Sequence, residues 1–162
     1  MSTEPQSEGS KPQPTAQTLA LQGFANTIVR GLLRTPLISR AVGRRLVVVY
    51  VVGRKSGRRF VVPVAYTQHG DALLIGTPFA WGRNLRNGQP VDIRLRGKRR
   101  VADVEVFTDE AGVVEQYAVM STDNRAFANF NKIGFDADGR PSASDLHAAW
   151  VGGARAFRLT PR

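Results

Sequence analysis

One apolar run constrains the fold of this chain more than any other segment. It covers residues 46–52, reads LVVVYVV, and is followed directly by Gly53. β-branched and aromatic residues favour extended backbone, and a short apolar run that ends at glycine is typical of a buried strand. The sequence therefore predicts a β-rich core that begins near residue 46.

Further short β-rich runs follow and are separated by tight turns. Residues 68–71 and 96–98 each contain a glycine and fit hairpin turns, because glycine accepts the positive φ that such turns require. Short connections imply antiparallel neighbours. We expect a mainly β (α+β) fold, a small antiparallel barrel with helical additions and no strand edge left open. The predicted strands are 46–52, 60–66, 72–77, 91–95, 101–107 and 154–159.

The other segments predict a polar tail and several helices. Residues 1–16 contain almost nothing to bury, so we expect a disordered tail there and a single domain over 17–162. Leu21, Phe24, Ile28 and Leu32 recur at helical spacing and predict an N-terminal amphipathic helix. A second short helix is predicted from Pro36. Helical turns are also predicted at 80–86, in one or two helices over 109–133 with a break at 123–124, and after residue 144.

Composition limits the chemistry that side chains can perform. The chain has 162 residues, no cysteine and only two histidines, His69 and His147. Disulfides, thiolate catalysis and cysteine–histidine zinc sites are excluded or lack ligands, so no metal is expected. Any difficult chemistry would come from an organic cofactor. No stretch is long and apolar enough to span a membrane and no secretory signal is recognisable, so the expected location is the cytoplasm.

Positive charge is concentrated in one part of the chain. The net charge is +10, and residues 30–100 contain sixteen Lys and Arg against two acids. This segment predicts an anionic partner, either nucleic acid, an acidic membrane surface or a polyanionic small molecule. Nucleic acid is disfavoured, because aromatic residues are rarely interleaved with the basic ones. The amphipathic segment 21–32 leaves peripheral contact with a membrane surface open.

The loop 53–59 is the strongest candidate site. It reads GRKSGRR and joins the first two predicted strands. Glycines let backbone N–H groups converge, while Lys and Arg add charge and donors suited to phosphate or carboxylate. It is not a Walker A loop, since no glycine directly precedes Lys55, and it is not a dinucleotide fingerprint, since it leads from strand to strand. A solvated basic hairpin tip is the alternative interpretation.

A second candidate constellation lies at residues 76–85, where a strand ends and a helical turn begins. The segment reads GTPFAWGRNL. Free N–H groups at a helix start, a large flat Trp81 and a nearby Asn84 and Arg83 fit an anionic or aromatic ligand. Trp81 and Leu85 are also spaced to plug one end of a barrel, and both interpretations stay open.

These motifs together resemble one known family. Gly53-Arg54-Lys55-Ser56-Gly57, then Pro63, Gly70, Trp81 and Asn84-Leu85 follow the order and spacing of the deazaflavin-dependent nitroreductases, most closely over 45–106. Those proteins are split β-barrels related to flavin-binding barrels, and they use coenzyme F420 to reduce quinones, nitroaromatics or activated double bonds. The resemblance implies hydride transfer between F420, or FMN as the alternative, and an electrophilic small molecule. A non-catalytic cofactor-binding barrel is the rival from another class.

The resemblance also implies roles for individual residues. Those expected to contact the phosphate and glutamate carboxylates of the coenzyme are Arg54, Lys55, Ser56 and Gly57, with help from Arg58 and Arg59. Those expected to line the ring or shape the opposite wall are Pro63, Val64, Gly76, Thr77, Trp81, Asn84 and Leu85. Two further assignments do not come from the resemblance. Tyr66 is a candidate proton donor, with solvent as the other source and an ordinary strand tyrosine as the alternative. Phe127 and Phe130 are candidates for a substrate lid, with core packing as the alternative. Phe60 stands where the family usually has an arginine.

Overall fold

The computed structural model describes residues 45–162. Three predicted segments lie outside the described residues: the tail, the amphipathic helix at 21–32 and the helix that begins at Pro36 and runs toward Arg45. Of these segments only Arg45 is described. The strands are β1 Leu46–Val52, β2 Arg59–Ala65, β3 Thr67–His69, β4 Ala72–Thr77, β5 Val91–Leu95, β6 Lys98–Phe107 and β7 Arg155–Pro161. The helices are a 3₁₀ helix Ala80–Asn84, α1 Glu110–Asp123, α2 Arg125–Phe130 and α3 Ala143–Val151.

The seven strands of the described region form one antiparallel sheet in the order β2-β1-β5-β6-β7-β4-β3. β2 and β3 are therefore at opposite edges, although Tyr66 alone separates them along the chain. A sheet whose two edge strands are joined by a single residue must curl until those edges approach each other. The fold is mainly β, a curled antiparallel half-barrel with helices added, which confirms the predicted fold class.

Two details of the strand prediction are corrected. The described residues contain seven strands instead of six, because Thr67–His69 pairs with β4 and only Gly70 and Asp71 form the turn. The expected closure of the sheet does not occur among the described residues, where β2 pairs only with β1 and β3 only with β4. An antiparallel hairpin needs about two connecting residues. Tyr66 alone cannot supply them, so β2 and β3 do not form a hairpin with each other.

Alternation along the strands builds the interior of the half-barrel. Val47, Val49 and Val51 of β1 are buried, while their neighbours in the strand are partly exposed. β5 repeats the pattern, with Val91 and Ile93 buried between exposed polar residues. This period of two is what a strand with one buried face requires. β4 differs because Ala72–Ile75 is buried throughout, which indicates that both of its faces are covered.

The helices cover the outer face of β4 and β7 and contact the sheet at Gly76. A Cβ atom at this position would lie 2.9 Å from ring atoms of both Tyr117 and Phe127, and 3.0 Å from Met120. The two rings meet edge to face, with their centroids 5.1 Å apart. The absence of a side chain at Gly76 thus lets an aromatic layer from α1 and α2 lie directly on the strand. Burial raises the pKa of the Tyr117 hydroxyl above its ordinary value, so this ring stays neutral.

The predicted break between two helices near residues 123–124 is confirmed. The backbone N–H of Asn124 donates to Met120 O and ends α1. Its side-chain Oδ1 accepts from the N–H groups of Ala126 and Phe127 and starts α2. Asparagine is among the best residues at this capping position, so one residue ends one helix and begins the next. None of the helices in the described part of the chain is long and apolar enough to cross a membrane.

We predict that Gly76→Ala destabilises the fold. The added methyl group meets two rings and a methionine within 3.0 Å, and overpacking of this kind typically costs about 1–3 kcal/mol of unfolding free energy. Urea unfolding of the variant measures the loss. The double variant Gly76→Ala/Phe127→Leu removes one of the two rings and should recover part of it. Equal stability of Gly76→Ala and the wild type would contradict the packing described here.

Candidate functional site

The loop between β1 and β2 is a tight turn closed by its own backbone. Gly53 N donates to Arg58 O and Gly57 N donates to Gly53 O, each at 2.8 Å. Gly57 has φ 65°, a left-handed conformation that favours glycine. A Cβ atom at Gly53 would lie 2.8 Å from Ser56 Oγ and 3.0 Å from the Phe60 ring. Phe60, which replaces the arginine of the resembling family, therefore packs beneath the loop.

The loop presents positive charge and backbone donors to solvent. The side chains of Arg54, Lys55, Arg58 and Arg59 are exposed, and no described carboxylate forms an ion pair with them. The backbone N–H groups of Lys55 and Ser56 form no hydrogen bond to another described residue. Converging N–H groups and unpaired cations are what a phosphate or carboxylate needs. The local geometry thus agrees with an anion site.

Asn84 fixes the loop to the 3₁₀ helix. Its Oδ1 accepts from the backbone N–H of Arg54 at 3.1 Å, and its Nδ2 donates to Trp81 O at 3.0 Å. One side chain thereby ties together two segments that are thirty residues apart in sequence. Each such hydrogen bond contributes about 1 kcal/mol and restricts the loop to one conformation.

The 3₁₀ segment closes one end of the half-barrel. Trp81 is 7% exposed, and its ring stacks on Phe157 with a centroid distance of 6.4 Å and an interplanar angle of 22°. A Cβ atom at Gly82 would meet Thr77 and Phe157 within 3.0 Å. Thr77 is buried as well, and its hydroxyl accepts from Phe79 N. The structure therefore favours the plug interpretation for Trp81.

A groove of about 700 Å³ opens beside the loop. Its size falls within the range of small-molecule sites, which is roughly 300–1,000 Å³. The apolar part of the wall comes from β1, the end of the 3₁₀ segment and the start of β5, and includes Val51, Leu85, Pro90 and Val91. The cationic part comes from Arg54, Arg59, Arg86 and Arg99. The predicted site residues that line the groove are Arg54, Gly57, Arg59, Asn84 and Leu85.

Other predicted residues lie elsewhere. Lys55, Ser56 and Arg58 are exposed on the loop but do not line the groove. Pro63 pairs with Val48, and Val64 pairs with Val47. Because successive residues of a strand face opposite sides of the sheet, the ring of a bound coenzyme can contact only one of the two. The remaining predicted residues that are at least partly buried do not line the groove either; they are Pro63, Val64, Tyr66, Gly76, Thr77 and Trp81.

The two candidate lid residues occupy different environments. Phe127 is partly buried against Tyr117 in the cluster of helix and sheet side chains, on the outer face of β4. Phe130 is 62% exposed, and its ring centroid lies 6.1 Å from that of Phe79. Neither residue lines the groove. Phe127 therefore occupies a core position, and Phe130 has the exposure that a mobile cover would need.

Three residues of the groove wall, Tyr50, Asp92 and Arg99, were not indicated by any sequence motif. Tyr50 of β1 pairs in register with Asp92 of β5, and the Arg99 guanidinium lies 4.7 Å from the centroid of the Tyr50 ring. Arg99 also approaches Asp92 at 4.0 Å. Alternation in β1 places Tyr50 on the face opposite to the buried valines, which indicates exposure. The pairing with Asp92 depends on register between strands that are not consecutive, and residue types alone do not contain it.

We predict that Asn84→Ala loosens the loop. Loss of both side-chain hydrogen bonds should lower the unfolding free energy by about 1–2 kcal/mol and speed hydrogen exchange of the Arg54 amide. Asn131→Ala is the matched control, because its Nδ2 donates to Phe127 O on the helical side of the sheet. The control should leave exchange at Arg54 unchanged. Unchanged exchange in Asn84→Ala would show that the loop holds its conformation without this tie.

No family model and no curated protein matches the chain. Similar solved structures include an FMN-binding protein related to pyridoxamine 5'-phosphate oxidase from Nostoc punctiforme, with 14% identity, a TM-score of 0.49 and coverage of 85% of this chain and 80% of that one. An F420 reductase has 12% identity, a TM-score of 0.43 and coverage of 76% and 92%. The flavocytochrome Anf3 from Azotobacter vinelandii has 14% identity, a TM-score of 0.42 and coverage of 78% and 63%. By name these are flavin and F420 proteins, the class that the sequence resembles. With these scores, the fold assignment rests on the strand pairing described above.

Proposed function

We propose that this chain is an oxidoreductase that binds the deazaflavin coenzyme F420 in the groove beside the loop and reduces an electrophilic small molecule there. The observation that carries the proposal is the position of the loop. A rigid, glycine-bracketed cationic turn lies at the rim of a groove whose wall is partly apolar. The motif that resembles the deazaflavin-dependent nitroreductases is this same turn. A phosphorylated, ring-containing ligand needs both features together.

The loop is proposed to hold the anionic part of the coenzyme. Lys55, Arg58 and Arg59 supply charge, while the backbone N–H groups of Lys55 and Ser56 supply donors of fixed direction. Asn84 keeps these donors in place through its bond to Arg54 N. Because this arrangement exists before any ligand arrives, little conformational entropy is lost on binding. The loop thus anchors the ligand and sets its orientation.

The apolar wall is proposed to position the ring. Leu85 and Val91 line the groove and offer apolar contact there. Pro63 and Val64 of β2 do not line the groove, so the ring contacts that the resemblance implies for them are not part of this proposal. When bound, a deazaflavin supplies a two-electron donor, and the protein contributes orientation and exclusion of water. The acceptor class is that implied by the resemblance, namely quinones, nitroaromatics or enones.

The proton that the acceptor needs is proposed to come from Tyr50 or from solvent. Tyr66, the candidate donor from the sequence, is 4% exposed and does not line the groove. Tyr50 does line it, and the guanidinium of Arg99 lies over its ring. A general acid must lie within hydrogen-bond reach of the atom that it protonates. Tyr50 therefore meets the first requirement, which is access to the groove.

Titration of the protein with F420 and with FMN, followed by fluorescence, tests the cofactor assignment. Lys55→Ala and Arg59→Ala each remove one charged contact, worth about 1.5–3 kcal/mol, so each should weaken F420 binding roughly tenfold to a hundredfold. Arg140→Ala is the control, because Arg140 is exposed and does not line the groove. It should bind as the wild type does.

The titration and an assay of turnover with quinone, nitroaromatic and enone acceptors together separate the alternative functions. Tight F420 binding followed by turnover with a quinone supports the oxidoreductase, and loss of turnover in Tyr50→Phe with unchanged binding supports the proton donor. Binding without turnover on any acceptor class favours a non-catalytic cofactor-binding module. A preference for FMN would replace the coenzyme but keep the site. If neither ligand binds, the proposal fails.

A further inference from the structure

A second groove, of about 370 Å³, lies next to the first and contains four arginines, Arg54, Arg83, Arg86 and Arg155. We call it the arginine groove. No acidic residue lines it. Arg54, Leu85 and Arg86 line both grooves, so the two are continuous. Only Arg54 of the four belongs to the loop motif.

The four arginines are not neutralised by the described part of the protein. None of them forms an ion pair with a described carboxylate, whereas Arg45, Arg99, Arg158 and Arg162 each do. Like charges that share a concave surface repel one another, and the repulsion is larger where solvent is partly excluded, as at the half-buried Arg155. A bound anion would remove this repulsion and fill the unused donors of the guanidinium groups.

The backbone that carries these arginines is held in place. Leu85 N donates to Gly82 O at 3.2 Å, Val106 N donates to Asn87 Oδ1 at 2.6 Å, and Gly88 N donates to Val104 O at 3.3 Å. Residues 83–88 are therefore fixed to the 3₁₀ turn at one end and to β6 at the other. Arg155 starts β7 and pairs with Thr77 of β4. The guanidinium groups thus extend from a rigid frame, which favours binding of an extended anion.

We infer that the arginine groove is a second anion-binding site that takes a chain of carboxylates or phosphates. This chemistry has two sources. One is the acidic end of a ligand whose ring lies in the larger groove, and for this source the inference rests on the proposed function. The other is a free polyanion that binds on its own. Planar guanidinium forks suit either, because they bind carboxylate and phosphate with paired hydrogen bonds.

The test uses the full chain and four probes, namely inorganic tripolyphosphate, a linear triglutamate peptide, F420 and FMN, each titrated by calorimetry or fluorescence. The double variant Arg83→Ala/Arg155→Ala removes two arginines of the groove but keeps the loop. Arg100→Ala/Arg140→Ala is the matched control, since it removes the same charge from exposed positions that line neither groove. Circular dichroism checks that both variants fold, and Arg83→Lys/Arg155→Lys keeps the charge without the forks.

Three results distinguish the sources from failure. If the groove takes the far end of the coenzyme, the alanine variant weakens F420 at least tenfold and leaves FMN unchanged, because FMN has a single phosphate. If the groove takes a free polyanion, tripolyphosphate or triglutamate binding falls at least tenfold while F420 is unaffected. If all four probes bind the alanine and control variants equally, the inference is overturned. When neither coenzyme binds the wild type, the proposed function has failed, and the tripolyphosphate and triglutamate titrations still test the groove.

Discussion

Much of the architecture depends on a single covalent constraint. Tyr66 alone connects β2 to β3, and these strands are the opposite edges of the sheet. A flat sheet of this order would place its edges several strand widths apart, each about 4.8 Å. The chain can therefore close this connection only if the sheet curls. Curling also creates a concave interior, which the buried valines of β1 and the side chains Leu73, Ile75 and Leu159 fill.

The candidate site follows from the same curl, because it brings the end of β1 close to the segment that leaves β4. Arg54 and Asn84 then meet, and their hydrogen bond joins the cationic loop to the 3₁₀ helix. Below this contact, Trp81 and Phe157 stack and close the end of the half-barrel. The side chains of the candidate site are thus carried by a packed base. Loops are generally more mobile than the elements they connect, so this base and the Asn84 contact restrict a segment that would otherwise move.

The sequence predicted local structure well because the relevant forces are local. The strand of β1, the turn at Arg96-Gly97 and the break at Asn124 all follow from the conformational preferences of the residues at those positions. Pairing between distant strands is not a local property. For this reason the sequence did not predict the contact between Tyr50 and Asp92. The short strand β3 was missed for a local reason, because Gln68 and His69 were assigned to the turn that precedes β4. Tyr66 illustrates the limit, since its residue type allowed either a proton donor or an ordinary strand tyrosine, and its burial indicates packing.

The loop and the arginine groove differ in the kind of anion that their donors can bind. The loop offers backbone N–H groups in a turn of fixed curvature, which suits one compact tetrahedral group. The arginine groove offers several separate forks along a wall, which suits anionic groups spaced along a chain. Arg54 contributes to the loop and to the arginine groove. Its backbone N–H donates to Asn84 Oδ1 and holds the loop, and the residue lines both grooves. A ligand that carries a compact phosphate followed by several carboxylates matches this order of donors, whereas a ligand with a phosphate alone uses only the first. Under the two proposals together, the arrangement of charge selects for the length of the anionic part as well as for its presence.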